Sequence, residues 1–243
     1  MSIDVPFTKA NLEYYLKELA KEYKKRGRGS PAEMILIGGA SVLINYGFRE
    51  MTYDIDADYD TASIMKEAIN AVGDKFDLPN GWVNTDFKKT ASYSPKIVQY
   101  SEYYKTFSNV LQIRTVRAEY LVAMKLVSGR RYKKDLSDIA GILYEQQKAG
   151  KPLSYEMIDR AICNLYGDWS LVSEYARDVL WKVLESKNLD ELFMELSEDE
   201  ASTKEALLEI DQKYPDVVKE DNLDDIIAIT LAKKKKLDKE DKQ

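Results

Sequence analysis

The stretch that most constrains the fold runs from residue 34 to residue 60 and reads MILIGGASVLINYGFREMTYDIDADYD. The short β-rich run at residues 33–37 is closed by Gly38 and Gly39, and the next residues, ASVLINYG, have the composition of a short helix. Residues 53–59 then alternate in polarity, which is typical of a strand with one buried face. The order strand, tight turn, helix, strand predicts a sheet flanked by helices in the amino-terminal part of the chain.

The acidic residues of the second run suggest a metal site. On a strand, Asp54, Asp56 and Asp58 point to the same face, with α-carbons about 6.6 Å apart along the chain. Because neighbouring carboxylates repel one another, and because carboxylate, water and phosphate oxygens suit Mg²⁺, we expect a magnesium ion there. Gly38 and Gly39 would let a phosphate chain approach the backbone and the N–H groups of the following helix. Together these features predict metal-assisted phosphoryl or nucleotidyl transfer.

Each feature has a simpler interpretation when it is taken alone. A pair of glycines most often marks a tight turn, and an acidic strand is often the solvated edge of a sheet. An EF-hand is excluded because Tyr59 stands at the sixth position of the loop, where glycine is required, and Met65 at the twelfth, where glutamate is required. The two features in order, with a helix between them, form a more specific signal than either part.

The composition removes several other kinds of site. The chain of 243 residues contains no histidine, which excludes a Ser-His-Asp site, a His-containing zinc site and a histidine base. Neither a P-loop nor a dinucleotide-binding glycine motif occurs. Cys163 is the single cysteine, and the net charge of −6 argues against a surface that is basic throughout. With no apolar run of about 18 residues and no signal-like amino terminus, we expect a cytoplasmic protein without a membrane span.

Hydrophobic periodicity extends the prediction to the rest of the chain. The predicted elements are a helix at residues 8–25, a helix at residues 61–73 with Thr61 as N-cap, a strand at residues 110–116, and helices at residues 118–129, 132–150 and within 154–210. Residues 74–106 are irregular and rich in turn residues, so no element is predicted there. The expected domains are an α/β domain at residues 1–150, a helical domain at residues 151–232 and a charged tail at residues 233–243.

Three segments of the chain resemble a known family. ILIGGASVLINYGFREMTYDIDAD is similar to the signature of the polymerase-beta-like nucleotidyltransferase superfamily, in which a Gly-Gly or Gly-Ser pair precedes two aspartates separated by an apolar residue. GWVNTDFK at residues 81–88 and AEYLVAMKLVSGRRYKKDLSDI at residues 118–139 resemble the small bacterial nucleotidyltransferases that include the abortive-infection type IV toxins. The resemblance covers residues 33–143 and implies an α+β fold: a mixed sheet flanked by helices, followed by a carboxy-terminal helical region.

The resemblance also implies roles for individual residues. Asp54 and Asp56 match the metal-binding pair of the superfamily. Gly38 and Gly39 match the turn that holds the phosphates, and we assign Ser41 to the same nucleotide-binding segment.

The family further supplies a lysine after the last core strand and acids on the next helix, here Lys125, Asp135 and Asp138. Lys125 would bind the triphosphate, and a lysine in an apolar helix either extends to solvent or meets an anion. We therefore expect Lys125→Met to weaken NTP binding more than folding. For the two acids the alternative is a solvated helix face on which Lys134 pairs with Asp138. The predicted catalytic residues are Asp54, Asp56, Lys125 and Asp135.

Four other charged residues are weaker candidates. Larger members of the superfamily use a third carboxylate on a neighbouring strand, for which Asp86 is the candidate by position, although an aspartate in a turn-rich region usually serves the turn. Arg49, Arg130 and Arg131 are candidates for contacts with phosphate or an RNA backbone, although each alone is more often a surface residue.

The function that these residues predict is Mg²⁺-dependent transfer of a nucleoside monophosphate from an NTP to an acceptor. By resemblance the acceptor is a tRNA end or a protein side chain, in a toxin–antitoxin or phage-defence setting with a cognate antitoxin or toxin as partner. Two alternatives remain: a nucleotide-binding or interaction module without turnover, and an antitoxin-like protein that acts through an acidic helical surface. Binding of NTP with Mg²⁺ separates the last from the others, and release of pyrophosphate separates the first two.

Overall fold

A computed structural model describes residues 6–60, 63–215, 217, 219, 222, 223 and 226–229. Helices α1 to α8 span Lys9–Arg26, Gly38–Asn45, Ser63–Phe76, Ala118–Ser128, Asp135–Lys148, Tyr155–Tyr166, Glu174–Glu185 and Leu189–Lys213. Strands β1 to β5 span Ala32–Leu36, Ile55–Tyr59, Val83–Asn84, Ser101–Phe107 and Leu111–Val116, and 3-10 helices span Asp86–Lys89 and Pro95–Tyr100. The predicted N-cap Thr61 and the predicted tail at residues 233–243 lie outside the described residues.

The five strands form one mixed sheet in the order β3-β2-β1-β5-β4. Strand β1 runs parallel to β5 and antiparallel to β2, while β3 is parallel to β2 and β4 is antiparallel to β5. This mixed sheet between helices confirms the predicted α+β class. Strands β1, β2 and β5 correspond to the three predicted strands, although β2 begins at Ile55, two residues later than predicted.

Helices cover both faces of the sheet. Met34 and Leu36 of β1 face one layer, in a buried cluster with side chains of α1 and α3. Ile35 and Ile37 face the other layer, in a cluster with α4 and the helices that follow it. A strand that is buried on both faces needs apolar residues at successive positions, which explains the continuous run MILI.

The carboxy-terminal helices extend the second layer. Helices α6 and α7 contact α4, and α8 packs along α5. One buried cluster contains Val116 and Leu126 together with Leu180 and Leu196, so the core continues across residue 150. The predicted division of the chain at that residue stays a prediction. None of the described helices is both long and apolar enough to cross a membrane.

Residues 74–106 contain two strands and two 3-10 helices, where the sequence predicts no element. Strand β3 has only two residues, which are too few to show the alternation of apolar and polar residues that predicts a strand. Strand β4 lies at the edge of the sheet, and only its end residues Ser101 and Phe107 are buried. Because its central residues are polar and solvated, β4 lacks the apolar alternation by which a strand is predicted.

Candidate active site

A cavity of about 200 Å³ lies where β1 ends and β2 begins, and α4 forms one of its walls. The antiparallel pairing of β1 and β2 brings the start of β2 beside Gly38, and the residues that follow β3 reach the same edge. The charged residues that line the cavity are Asp54, Asp56, Asp86, Lys125, Arg130 and Asp135. The topology thus gathers acidic and basic side chains from three segments that are distant in sequence.

The sequence predicted that Gly38 and Gly39 form a tight turn before the helix. In the structure they belong to the first turn of α2 itself. Gly38 has a φ of +51°, in the left-handed region, and a Cβ there would lie 3.6 Å from Asp56 Oδ2. A Cβ on Gly39 would lie 2.8 Å from Thr52 Oγ1 and 2.9 Å from Arg49 Nη2, so this position has no room for a side chain. No side chain caps the first N–H groups of α2, which leaves them able to bind an anion.

Asp54 and Asp56 lie in different environments. Asp54 is exposed just before β2, and the Thr52 hydroxyl lies 3.2 Å from both its carbonyl oxygen and its Oδ1. Asp56 is partly buried within β2, and burial together with the charge of Asp54 raises its pKa to about 6, although Arg130 and Lys125 act in the opposite direction. Two carboxylates whose repulsion raises a pKa are a donor set that suits a divalent cation.

Asp86, and not Asp58, lines the cavity together with Asp54 and Asp56. Asp58 lines a different cavity and lies 2.5 Å from Lys88 Nζ. Asp86 begins the 3-10 helix after β3, is largely exposed, and pairs with Lys89 at 2.8 Å. Within the described ranges, no three side chains of Asp, Glu, His or Cys are placed to hold a metal ion. A metal bound to Asp54 and Asp56 would therefore need further oxygens from substrate or water.

Five charged side chains form an ion-pair chain: Arg49, Asp138, Lys125, Asp135 and Arg130. Three of them, Lys125, Asp135 and Arg130, line the cavity. Lys125 Nζ lies 2.8 Å from Asp135 Oδ1 and 2.8 Å from Asp138 Oδ2. At the two ends, Arg49 Nη1 lies 2.5 Å from Asp138 Oδ2, and Arg130 Nε lies 2.7 Å from Asp135 Oδ2. Opposite charges alternate along the chain, so each buried charge has a partner of opposite sign.

The ion-pair chain keeps its members charged. Burial disfavours the charge of Lys125, but the carboxylates of Asp135 and Asp138 outweigh that effect and raise the pKa of Lys125. Burial likewise disfavours the charge of Asp135, but Lys125 and Arg130 hold the pKa of its carboxyl well below the usual range. Lys125 is 8% exposed and Arg130 39% exposed, so Arg130 is the cation of the chain with more surface toward solvent.

Asp135 and Asp138 do not form a solvated helix face. Each is only 1% exposed, at the start of α5. The Asp138 carboxylate contacts Lys125 and Arg49, and the predicted pair with Lys134 is wrong because the Lys134 side chain is exposed. The two acids hold the buried lysine in place.

Two of the predicted residues lie elsewhere. Ser41 is fully buried, and its Oγ accepts a hydrogen bond of 3.3 Å from the N–H of Val116 in β5. Arg131 stacks on Tyr175, with its guanidinium carbon 4.0 Å from the ring centre. Their roles in nucleotide or phosphate binding stay predictions, and the contacts made by these side chains join elements of the fold.

Glu200 is a residue of interest that the sequence did not single out. It lies on α8, is buried, and its carboxylate contacts the first turn of α5 next to the ion-pair chain. A signal existed: Leu192, Leu196 and Leu207 lie on the buried face of α8, and Glu200 occupies the same face. A carboxylate on the apolar face of an amphipathic helix indicates a buried polar contact.

Comparison with known protein families found one match. Residues 14–204, well over half of the 243 residues, match a family described as a nucleotidyltransferase of unknown function, DUF6036. Comparisons with curated proteins and with solved structures found no match. The matched range includes β1 to β5, the cavity and the ion-pair chain, and it ends within α8. The chain therefore belongs to the nucleotidyltransferase family DUF6036.

Proposed function

We propose that the protein transfers a nucleoside monophosphate from an NTP to an acceptor, with Mg²⁺ as cofactor and pyrophosphate as the second product. One observation carries this proposal: the Asp54 and Asp56 carboxylates, the uncapped start of α2 at Gly38 and the basic side chains of Lys125 and Arg130 line the same cavity, in a chain of a nucleotidyltransferase family. Carboxylates bind metal ions, and N–H groups and cationic side chains bind phosphate oxygens. The combination is what a metal-bound triphosphate requires.

Asp54 and Asp56 are the residues that would hold the magnesium ion. The raised pKa of Asp56 supports this assignment, because a cation beside the two carboxylates would relieve their repulsion. When bound, the ion would supply positive charge to the phosphate oxygens as negative charge develops on them. With two protein carboxylates, the remaining ligands would be water and phosphate oxygens, as is usual for Mg²⁺ in nucleotide sites.

The chain's own groups would bind and orient the triphosphate. Gly38 at the start of α2, Lys125 and Arg130 line the cavity, so the free N–H groups of the helix start and the two cations would bind phosphate oxygens. The cavity of about 200 Å³ is smaller than the roughly 300–1,000 Å³ of sites for drug-sized ligands. We infer that it encloses the phosphates while the nucleoside lies at its rim.

In the chemical step, the oxygen of an acceptor hydroxyl forms a bond to the α-phosphorus, and the bond from that phosphorus to the bridging oxygen breaks. Asp86 is an exposed carboxylate at the cavity that is not one of the two proposed metal ligands, and it would accept the hydroxyl proton. The leaving pyrophosphate would carry its negative charge toward Arg130 and Lys125.

The acceptor that we propose is RNA, such as a tRNA end, or a protein side chain, in a toxin–antitoxin or phage-defence setting. The resemblance to the abortive-infection type IV toxins is the support for this part of the proposal. The test is to incubate the protein with Mg²⁺, each α-labelled NTP in turn, and total RNA and protein extracts. We expect release of pyrophosphate and label in one macromolecular fraction, and absence of both with all four NTPs contradicts the proposal.

A nucleotide-binding module without turnover is the second candidate. It is favoured by the pairing of Lys125 with two buried carboxylates, and by the lack of a three-acid metal group among the described residues. This candidate predicts that the protein binds NTP with Mg²⁺ but releases no pyrophosphate in the same experiment.

A further inference from the structure

In the longest described helix of the carboxy-terminal region, one buried carboxylate contacts the start of α5, beside the wall of the cavity. Glu200 of α8 is 5% exposed, and its carboxylate accepts three hydrogen bonds from the first turn of α5. The N–H of Leu136 donates to Oε1 at 2.8 Å and the N–H of Ser137 donates to it at 3.4 Å. The Ser137 hydroxyl lies 2.5 Å from Oε2. Glu200 therefore satisfies donors that no residue of α5 satisfies.

Helix α5 needs this contact because it lacks a local cap. Its N-cap residue is Lys134, which makes no side-chain hydrogen bond to the helix. The first N–H groups of a helix have no partner within the helix, and Ser, Thr, Asp or Asn at the N-cap usually accepts from them. The carboxylate of Glu200 takes that role from another helix, and a negative charge at this end also suits the helix dipole.

The capped turn carries the two acids of the ion-pair chain. Asp135 is the first residue of α5 and Asp138 lies one turn further, so the two residues that Glu200 holds stand between them. If that turn frayed, both carboxylates would move away from Lys125. A buried lysine without partners is costly, so the cationic wall of the cavity would rearrange.

We propose that Glu200 is a positioning residue of the nucleotide site. It caps α5 and thereby fixes the two acids that orient the cations facing the triphosphate. This inference rests on the proposed function. It gives the carboxy-terminal helix a role in nucleotide affinity and not only in folding.

The test measures the affinity of the full-length protein for α,β-methylene analogues of ATP, GTP, CTP and UTP with Mg²⁺, by calorimetry. Glu200→Ala should weaken binding by about tenfold, as the loss of a residue that orients binding groups does elsewhere. Glu200→Gln should stay within about threefold of wild type, because the amide keeps an acceptor for the two N–H groups. Leu196→Ala is the matched control: it removes a buried side chain of α8 one turn away. The control should lower Tm and leave the affinity within about threefold of wild type.

A double-mutant cycle with Arg130→Met distinguishes positioning from general destabilisation. If Glu200 acts through the ion-pair chain, Glu200→Ala should cost less affinity in the Arg130→Met protein than in wild type. Equal losses in the two backgrounds, or a Glu200→Ala protein that binds as tightly as wild type, overturn the inference. If Glu200→Ala does not fold, Ser137→Ala takes its place, with an expected loss of about fivefold or more that shrinks in the same background. A wild type that binds none of the four analogues overturns the proposed function instead.

Discussion

At the scale of single residues, Asp54 and Asp56 should separate activity from stability. Replacing either with Asn removes a charge from the proposed metal site, so transfer should fall by roughly a hundredfold. In the absence of metal the Asp56→Asn protein should be at least as stable as wild type, because the charge of Asp56 is disfavoured by burial and by Asp54. The measurement is a pair of melting curves for each variant, with and without Mg²⁺ and NTP.

Asp58→Asn is the matched control on the same strand. Its carboxylate pairs with Lys88 and lines another cavity, so the variant should keep activity and lose little stability. Two results would contradict the assignment of Asp54 and Asp56 to a metal site. One is a Tm of Asp54→Asn or Asp56→Asn below that of wild type without metal. The other is a wild-type Tm that does not change when Mg²⁺ and NTP are added.

Lys125 should contribute to stability as well as to binding, which changes the expectation drawn from sequence for Lys125→Met. The substitution leaves Asp135 and Asp138 buried with one arginine each. We expect the free energy of unfolding to fall by about 3 kcal/mol, since the removal of one partner leaves a buried charge uncompensated. Urea unfolding measures the loss, and Arg130→Met, which removes a half-exposed partner, should cost clearly less. Equal stability of Lys125→Met and wild type would show that the ion-pair chain adds nothing to the fold.

Local sequence rules predicted that Gly38, Asp54 and Asp56 lie close together, and the three line one cavity, because their arrangement depends on the order of neighbouring elements. The same rules gave Asp138 the wrong partner. A helix spacing of four residues suggested Lys134, whereas the structure supplies Arg49, which is 89 residues away. Spacing along one helix carries no information on which other segment covers that face.

At the scale of elements, the α8–α5 contact should make stability depend on pH. Burial raises the pKa of Glu200 from its ordinary 4.5 to about 7, with a further rise from Asp138 and an opposing effect of the hydrogen bonds from Ser137 and Leu136. The folded protein thus holds this proton more tightly than the unfolded chain does. The resulting stability is complete below pH 4.5 and is lost as the pH rises through about 7.

The measurement compares urea unfolding of wild type and Glu200→Gln at several values of pH between about 5 and 8. Glutamine cannot ionise, so the difference between the two proteins isolates Glu200. Relative to Glu200→Gln, wild type should lose about 3 kcal/mol over this range. Parallel curves for the two proteins would exclude a buried, raised-pKa carboxyl at this position.

The start of α5 also shows where element prediction reaches its limit. Sequence periodicity placed the start of this helix at residue 132, whereas it begins at Asp135. Lys134 is a poor N-cap, and the group that satisfies the first turn is 64 residues away in the chain. Strand β1, by contrast, was predictable because a strand that is buried on both faces has a continuous run of apolar residues in its own sequence.

At the scale of the whole molecule, α8 should be required for a stable fold. It places Leu192, Leu196 and Leu207 in buried positions, and α5 loses its cap when α8 is absent. A chain that ends at Ser186 should melt roughly 10 °C or more below the full-length protein, or fail to fold cooperatively. Circular dichroism melting curves test this.

A chain that ends at Ala232 is the comparison. Residues 233–243 are highly charged, with lysines that repel one another, so their removal should leave Tm within about 2 °C of the full-length value. A drop of several degrees would show that this tail is docked on the rest of the protein. A Ser186 truncation as stable as the full chain would instead show that the fold does not need α8.

The cap from Glu200 has a consequence for synthesis on the ribosome. The three sequence segments that resemble nucleotidyltransferase motifs lie within residues 33–143, yet the contact that completes the first turn of α5 comes from residue 200. At about 5–20 residues per second, the ribosome needs several seconds more to reach that residue after the last of those segments has been made. During that interval the nascent chain has the segments that resemble a nucleotidyltransferase without the finished cavity wall, so the order of translation should delay completion of the proposed nucleotide site until residue 200 has been made.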